Sequence, residues 1–170
     1  MKEHTAGDGI VVGVDGSEAS MAALRWAAEQ ARALNTHVVA VYAWEPKGSG
    51  CAPYAPAPAR PTHAEQRVEA AQLLASTVRE VFGSRIDDSV RAVVVEGPPA
   101  RMLLDQASRA ALLALGRKTH EENCMPAFGM VCRACLRSAT VPVVTVPATE
   151  RHTAPLRAVG ASPGSRRGAA

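Results

Sequence analysis

The chain has 170 residues, 47% apolar and 21% charged, enough to bury a core within one domain and too apolar for a disordered chain. Its +3 formal charge is uneven: residues 1–150 carry 15 Lys and Arg against 16 Asp and Glu, while residues 151–170 add Arg151, Arg157, Arg166 and Arg167 and no acid. The basic balance thus comes from the tail and does not mark a nucleic-acid-binding face, and the absence of an apolar run of about 18 residues excludes a helical membrane span.

"GIVVGVD", from Gly9, is a short Val-rich run ending in a turn, which predicts a buried first strand. "GSEASMAALRWAAEQARALN" predicts a helix capped by Ser17 or Ser20, with an apolar stripe of Leu24, Ala27, Ala31 and Leu34 and a stop at Asn35. "HVVAVYAW" is a second strand. The Pro-rich stretch over 46–61 predicts a loop of extended character, long enough to act as a surface flap or binding loop. "HAEQRVEAAQLLASTVREVFG" predicts a helix whose face is Val68, Ala71, Ala75, Val78 and Phe82, ended by Gly83. Then come a strand in "SVRAVVVEG", a Pro-started helix in "PPARMLLDQASRA" and a fourth strand in "ALLALG". A short helix in "MVCRACLRSAT" and a last strand in "VPVVTVP" follow, with Pro142 favouring a strand start or an edge.

Apolar strands alternating with amphipathic helices predict a single doubly wound α/β domain, with a parallel sheet and helices on both faces. It is expected over residues 9–147, between a flexible N-terminus (1–8) and a disordered basic tail (148–170). "MKEHTAGDG" has no apolar stretch suited to secretion, so a cytoplasmic location with reduced cysteines is expected.

Open α/β sheets bind ligands beyond the C-terminal ends of their strands. Asp15 ends strand one and Gly116 ends strand four, so central neighbouring strands would place both at one crevice. Asp15 then either accepts hydrogen bonds from a ribose hydroxyl or a base amino group, or holds its own turn. Neither a G-x-G-x-x-G fingerprint nor a P-loop is present. No catalytic base or nucleophilic triad stands out. His120, Cys124, Cys132 and Cys135 have the donor types of a Cys₃His zinc site or a thiol switch, while buried packing is the alternative for the helical pair. Cys51 is expected to be exposed in the Pro-rich loop.

Four blocks in order, "IVVGVDGSEASMAALRWAAEQA", "VVAVYAW", "VVVEGPPARMLL" and "SATVPVVTVP", make the chain similar to the universal stress protein family over roughly residues 9–147. The resemblance implies a five-stranded parallel sheet in the order 3-2-1-4-5 and a homodimer through the last strand. It also implies ATP as ligand, with Mg²⁺. The base and ribose would lie against Gly13, Val14, Asp15 and Ala43. Phosphates would lie at a turn after Gly116, with Arg117 and Lys118 supplying charge, and at the helix-end amides of Gly129, Met130 and Val131.

ATP-binding members carry G-x-x-G, nine residues, then Gly followed by Ser or Thr. Here Gly116 and Gly129 keep the outer positions, Thr119 replaces the middle glycine and Met130 the hydroxyl residue. A β-branched residue takes a positive φ only under strain, and Met130 donates nothing through its side chain. Glu121 and Glu122 add negative charge near the expected phosphates. Three functions therefore stand side by side: a stress-response protein binding an adenine nucleotide with little or no hydrolysis, a nucleotide-free dimeric module that recognises an unknown protein partner, and a thiol or zinc switch.

Overall fold

The structure, a computed structural model, describes residues 9–46, 61–83, 88–119 and 126–148. The N-terminus expected over 1–8, nearly all of the Pro-rich loop with Cys51, the segment holding His120, Glu121, Glu122 and Cys124, and residues 149–170 of the tail lie outside them.

Strands β1 (Ile10–Gly13), β2 (Val38–Trp44), β3 (Val90–Glu96) and β4 (Leu112–Thr119) alternate with helices α1 (Glu18–Ala33), α2 (His63–Phe82) and α3 (Pro99–Ala107). A two-residue strand β5 (Pro126–Ala127), helix α4 (Met130–Ser138) and strand β6 (Val143–Pro147) complete the order. The parallel sheet runs β3-β2-β1-β4-β6, the expected order with β6 as the fifth strand. Ile10 stands between Val38 and Leu112, so β1 is central. One core layer joins α1 and α2 to the sheet around Ile10, Leu24 and Leu74, and the other joins α3 and α4 to it around Val41, Leu103 and Leu113. Among the described residues, no helix is long and apolar enough to cross a membrane.

Local chemistry explains the helix ends. Ser17 caps α1, its hydroxyl accepting from the Ser20 N–H, and Glu18 sits at the positive end of the helix dipole. Asn35 leaves α1 in the left-handed region with φ 52°, which a short amide side chain tolerates. Thr62 and Glu65 form a reciprocal capping box on α2, and the Thr62 hydrogen bonds hold the Glu65 carboxyl below its ordinary value. Gly83, with φ 70°, ends α2 and donates its N–H to the Arg79 carbonyl.

Three expectations change. Leu34, placed on the apolar stripe of α1, is the C-cap residue and is 61% exposed. The buried stripe of α2 is Ala70, Leu74, Thr77 and Val78, whereas Val68 is 55% exposed and Ala71 is exposed. Val78 is shared with the set chosen from sequence, and Leu74, four residues before it, rotates the inward face away from Val68 and Ala71. Strand β4 also continues three residues beyond "ALLALG". Arg117, Lys118 and Thr119 extend the strand, with Arg117 opposite Pro147 of β6 and Lys118 and Thr119 opposite Ala127 and Pro126 of β5. A turn after Gly116 needs residues that leave the β region easily, and Arg-Lys-Thr remains extended instead.

Candidate functional site

A cavity of about 420 Å³ opens at the C-terminal ends of β1, β2 and β4, on the α3–α4 side. Its place is the topological switch point: β1 leads into α1 on one face, and the neighbouring β4 leads toward α4 on the other. Val41 and Ala43 share a face of β2 and, with Leu103 and Leu115, form apolar walls. Gly13 deepens the floor, because a Cβ there would stand 2.7 Å from Leu115 Cδ2 and 3.1 Å from Leu103 Cδ1. Tyr42 and Pro99 complete that side.

The β1 rim is tied together by side chains. The Val14 N–H donates to the Val41 carbonyl, continuing the sheet for one residue. Gly16 then turns with φ 80°. The turn brings the Ser17 N–H (2.9 Å) and hydroxyl (2.6 Å) onto Asp15 Oδ1. Ser20 accepts from the Asp15 N–H at 3.3 Å and donates to the Ser17 carbonyl at 2.9 Å. Partial burial pushes the Asp15 carboxyl upward, but the hydrogen bonds from the Ser17 side chain and backbone and from Ser20 outweigh it. Asp15 is therefore held below its ordinary value and is an anion at neutral pH. Asp15 holds its own turn and also lines the cavity.

The opposite rim is built from backbone. Gly116 lies hard against the start of α1: a Cβ there would sit 2.6 Å from the Ser20 nitrogen and closer still to the Ala19 carbonyl. This glycine lets helix and strand approach. Helix α4 starts at Gly129, in extended conformation with φ −64°, and has no side-chain cap. Its first ladder bond runs from the Arg133 N–H to the Gly129 carbonyl, so the amides ahead of Arg133 lack intrahelical acceptors. Met130, at the first helical position, is 89% exposed.

Gly13, Val14, Asp15, Ala43, Gly116, Gly129, Met130 and Val131 all line this one cavity. Arg117 and Lys118 do not line it: Arg117 is half-buried along the β6 edge, its carbonyl accepting from the Ala148 N–H, and Lys118 is exposed. Thr119 belongs to β4, and Asn35 is the one non-glycine with a positive φ among the described residues, so no left-handed turn is demanded of Thr119. Sequence reasoning assigned no nucleotide-binding role to Tyr42, Pro99, Leu103 or Cys132, the last entering only as a zinc or thiol residue or as packing. The Pro start of α3 was the signal available for Pro99, whereas Tyr42 alternates with Val41 and Ala43 and packs against the α1–α2 layer, so spacing along β2 gave no signal for it.

Cys132 and Cys135 are buried on the inner face of α4. Burial raises both thiols; Cys135 is pushed up to about 11, with Cys132 adding to the effect. Both are protonated at neutral pH, the opposite of a poised thiolate. The described residues contain no cluster of three His, Cys, Asp or Glu suited to a metal, and His120 and Cys124 lie outside them.

Comparison with known proteins places the chain. Residues 8–147 match the model of the Universal stress protein family. A universal stress protein of Mycolicibacterium smegmatis is 29% identical over 137 residues, 81% of this chain, and the chain spans 45% of that relative's length. Among solved structures, a universal stress protein in complex with cAMP is similar at a TM-score of 0.59, with 20% identity and 85% and 100% coverage of the two chains. The universal stress protein from Archaeoglobus fulgidus in complex with dAMP gives 0.59, with 22% identity and 84% and 99% coverage. Likeness at that identity establishes the fold, and the match over 8–147 establishes descent: the chain belongs to the universal stress protein family.

Proposed function

We propose that this is a cytoplasmic stress-response protein whose cavity binds an adenine nucleotide with little or no hydrolysis. The carrying observation is the ionised Asp15, fixed by Ser17 at the mouth of an apolar-walled cavity whose far rim is the uncapped start of α4. Asp15 would accept a ribose hydroxyl, the walls formed by Val41, Ala43 and Leu115 would cover the base, and the α4 amides would meet a phosphate. The cAMP and dAMP complexes of the structural neighbours support an adenine ligand here. Among the described lining residues, Asp15 accepts from Ser17 within its turn and the Cys132 thiol is held protonated, which supports slow or absent turnover. Among the described residues Asp15 is the one carboxylate lining the cavity, which does not suit a protein-held magnesium; ATP would bring Mg²⁺ on its own phosphates.

Calorimetric titration tests the reading. Heat that saturates with a micromolar to low-millimolar constant is expected for ATP or AMP, and Asp15→Ala should abolish it. No signal at millimolar concentrations of both would sink the proposal.

Homodimerisation through the last strand is part of the same proposal. Among the described residues β6 pairs with β4 alone, and its residues Val143 to Val146 are only half-buried. The Pro142 carbonyl and Ala148 N–H face β4, so by alternation the Thr145 N–H faces outward. Thr145→Pro should convert a dimer seen by sedimentation equilibrium into monomer; a dimer of unchanged strength would place the interface elsewhere. The nucleotide-free module is favoured by one observation, the exposure of two large apolar side chains on α4, Met130 and Leu136 (45%).

A further inference from the structure

Resting on the adenine-nucleotide reading, we infer that the site selects by phosphate charge, taking an adenine nucleoside or its monophosphate in preference to the triphosphate. The argument is one of compensation. Among the described residues lining the cavity, one side chain is charged, Asp15, and its charge is negative. The basic side chains nearest in sequence, Arg117 and Lys118, stand outside the lining. What faces an anion is the start of α4, where a nine-residue helix offers roughly half a positive charge and the free amides of its first turn. The side chain of Met130, at the first helical position, adds no donor to these amides. One phosphate finds partners there. A second and third add charge that nothing in the described lining offsets, on the same ligand that Asp15 must approach. The base and ribose are therefore the affinity-bearing part, and the polyphosphate is a burden.

The test is a calorimetric series on the full chain with adenosine, AMP and ATP, without divalent ions, at low and high salt. AMP should bind within about threefold of adenosine, and ATP about three- to tenfold more weakly than AMP at low salt. The ATP deficit should shrink with added salt, with Mg²⁺, and in Asp15→Asn, which keeps an acceptor and removes the charge. ATP binding as tightly as AMP or tighter would overturn the inference while leaving the adenine reading intact. A deficit unmoved by salt, Mg²⁺ and Asp15→Asn would overturn its electrostatic origin and point to shape. No binding of any of the three would remove the adenine reading and this inference with it.

Discussion

The two rims of the cavity solve the same problem with different materials. At the β1 rim, Asp15, Ser17 and Ser20 hold one another through side-chain hydrogen bonds, and the turn is set before any ligand arrives. At the β4–α4 rim, a packed glycine brings the elements together and an uncapped helix start faces the opening. The difference teaches where specificity resides. The first rim presents an acceptor fixed by its own hydrogen bonds, and the second is an open set of backbone donors whose side chains can change without disturbing the fold.

The contrast between packed and open is broken most severely at Gly116. Gly116→Ala drives a methyl into the Ala19 carbonyl and the Ser20 nitrogen, which are backbone atoms and yield only if α1 shifts. A loss of about 3 kcal/mol is expected, roughly 6–12 °C in melting temperature, with ligand binding weakened because α1 carries Ser17 and Ser20. A melting curve that overlays the wild type would show that α1 does not rest on this glycine.

Asp15 comes next. Asp15→Ala removes both Ser17 hydrogen bonds and should cost about 1 kcal/mol of stability and at least tenfold in adenosine affinity. The ionised form makes a pH prediction of definite sign. The folded value lies below the ordinary 3.8, so the carboxylate's contribution is present above 3.8 and is lost as pH falls through the lowered value. The stability difference between wild type and Asp15→Asn should be full near neutrality and shrink as pH is taken below 3.8. Urea denaturation across that range measures it, and a difference that grows on acidification would reverse the assignment.

How much of this was legible beforehand follows the same division. The parallel, doubly wound class was readable from continuous Val-rich strands and spaced helices, and the strand order came from the family resemblance that four blocks carry. Asp15 was readable for a local reason: a strand end followed by Gly and Ser is a turn, and turns at that edge of the sheet face the crevice. Gly116 was read as a phosphate-side glycine, and its packing against α1 was hidden because close approach is a long-range fact that spacing does not carry. The extension of β4 through Arg117 and Lys118 was missed for the converse reason. The family pattern suggested a loop, while these residues stay extended between β5 and β6. Val68 shows the limit of periodicity: several stripes fit α2, and only packing against the sheet chose Leu74.

Met130→Ser sharpens the contrast between the rims by giving the second a hydroxyl. Met130 is 89% exposed, so the change should leave stability within about 0.5 kcal/mol. A hydroxyl beside the first-turn amides adds one donor for a phosphate oxygen, and AMP affinity should rise about three- to tenfold. Adenosine affinity should not move. Equal gains for AMP and adenosine would mean that residue 130 acts through the shape of the cavity and not through the phosphate.

Gly129→Ser is the smallest change and the most discriminating, because it places a hydroxyl one residue earlier with the opposite expected effect. A Cβ at Gly129 meets nothing within 4 Å, and φ of −64° suits any residue, so no strain opposes the substitution. Serine at this capping position accepts from a first-turn N–H, and the unfolded chain loses the freedom of glycine. A gain of about 0.5 kcal/mol follows, readable as a shifted urea midpoint with unchanged slope. The same hydrogen bond withdraws a donor that a phosphate would otherwise use, so AMP should weaken about twofold relative to adenosine. If Gly129→Ser stabilises the fold and leaves that ratio untouched, the phosphate does not meet the start of α4, and the division between the two rims fails at its second half.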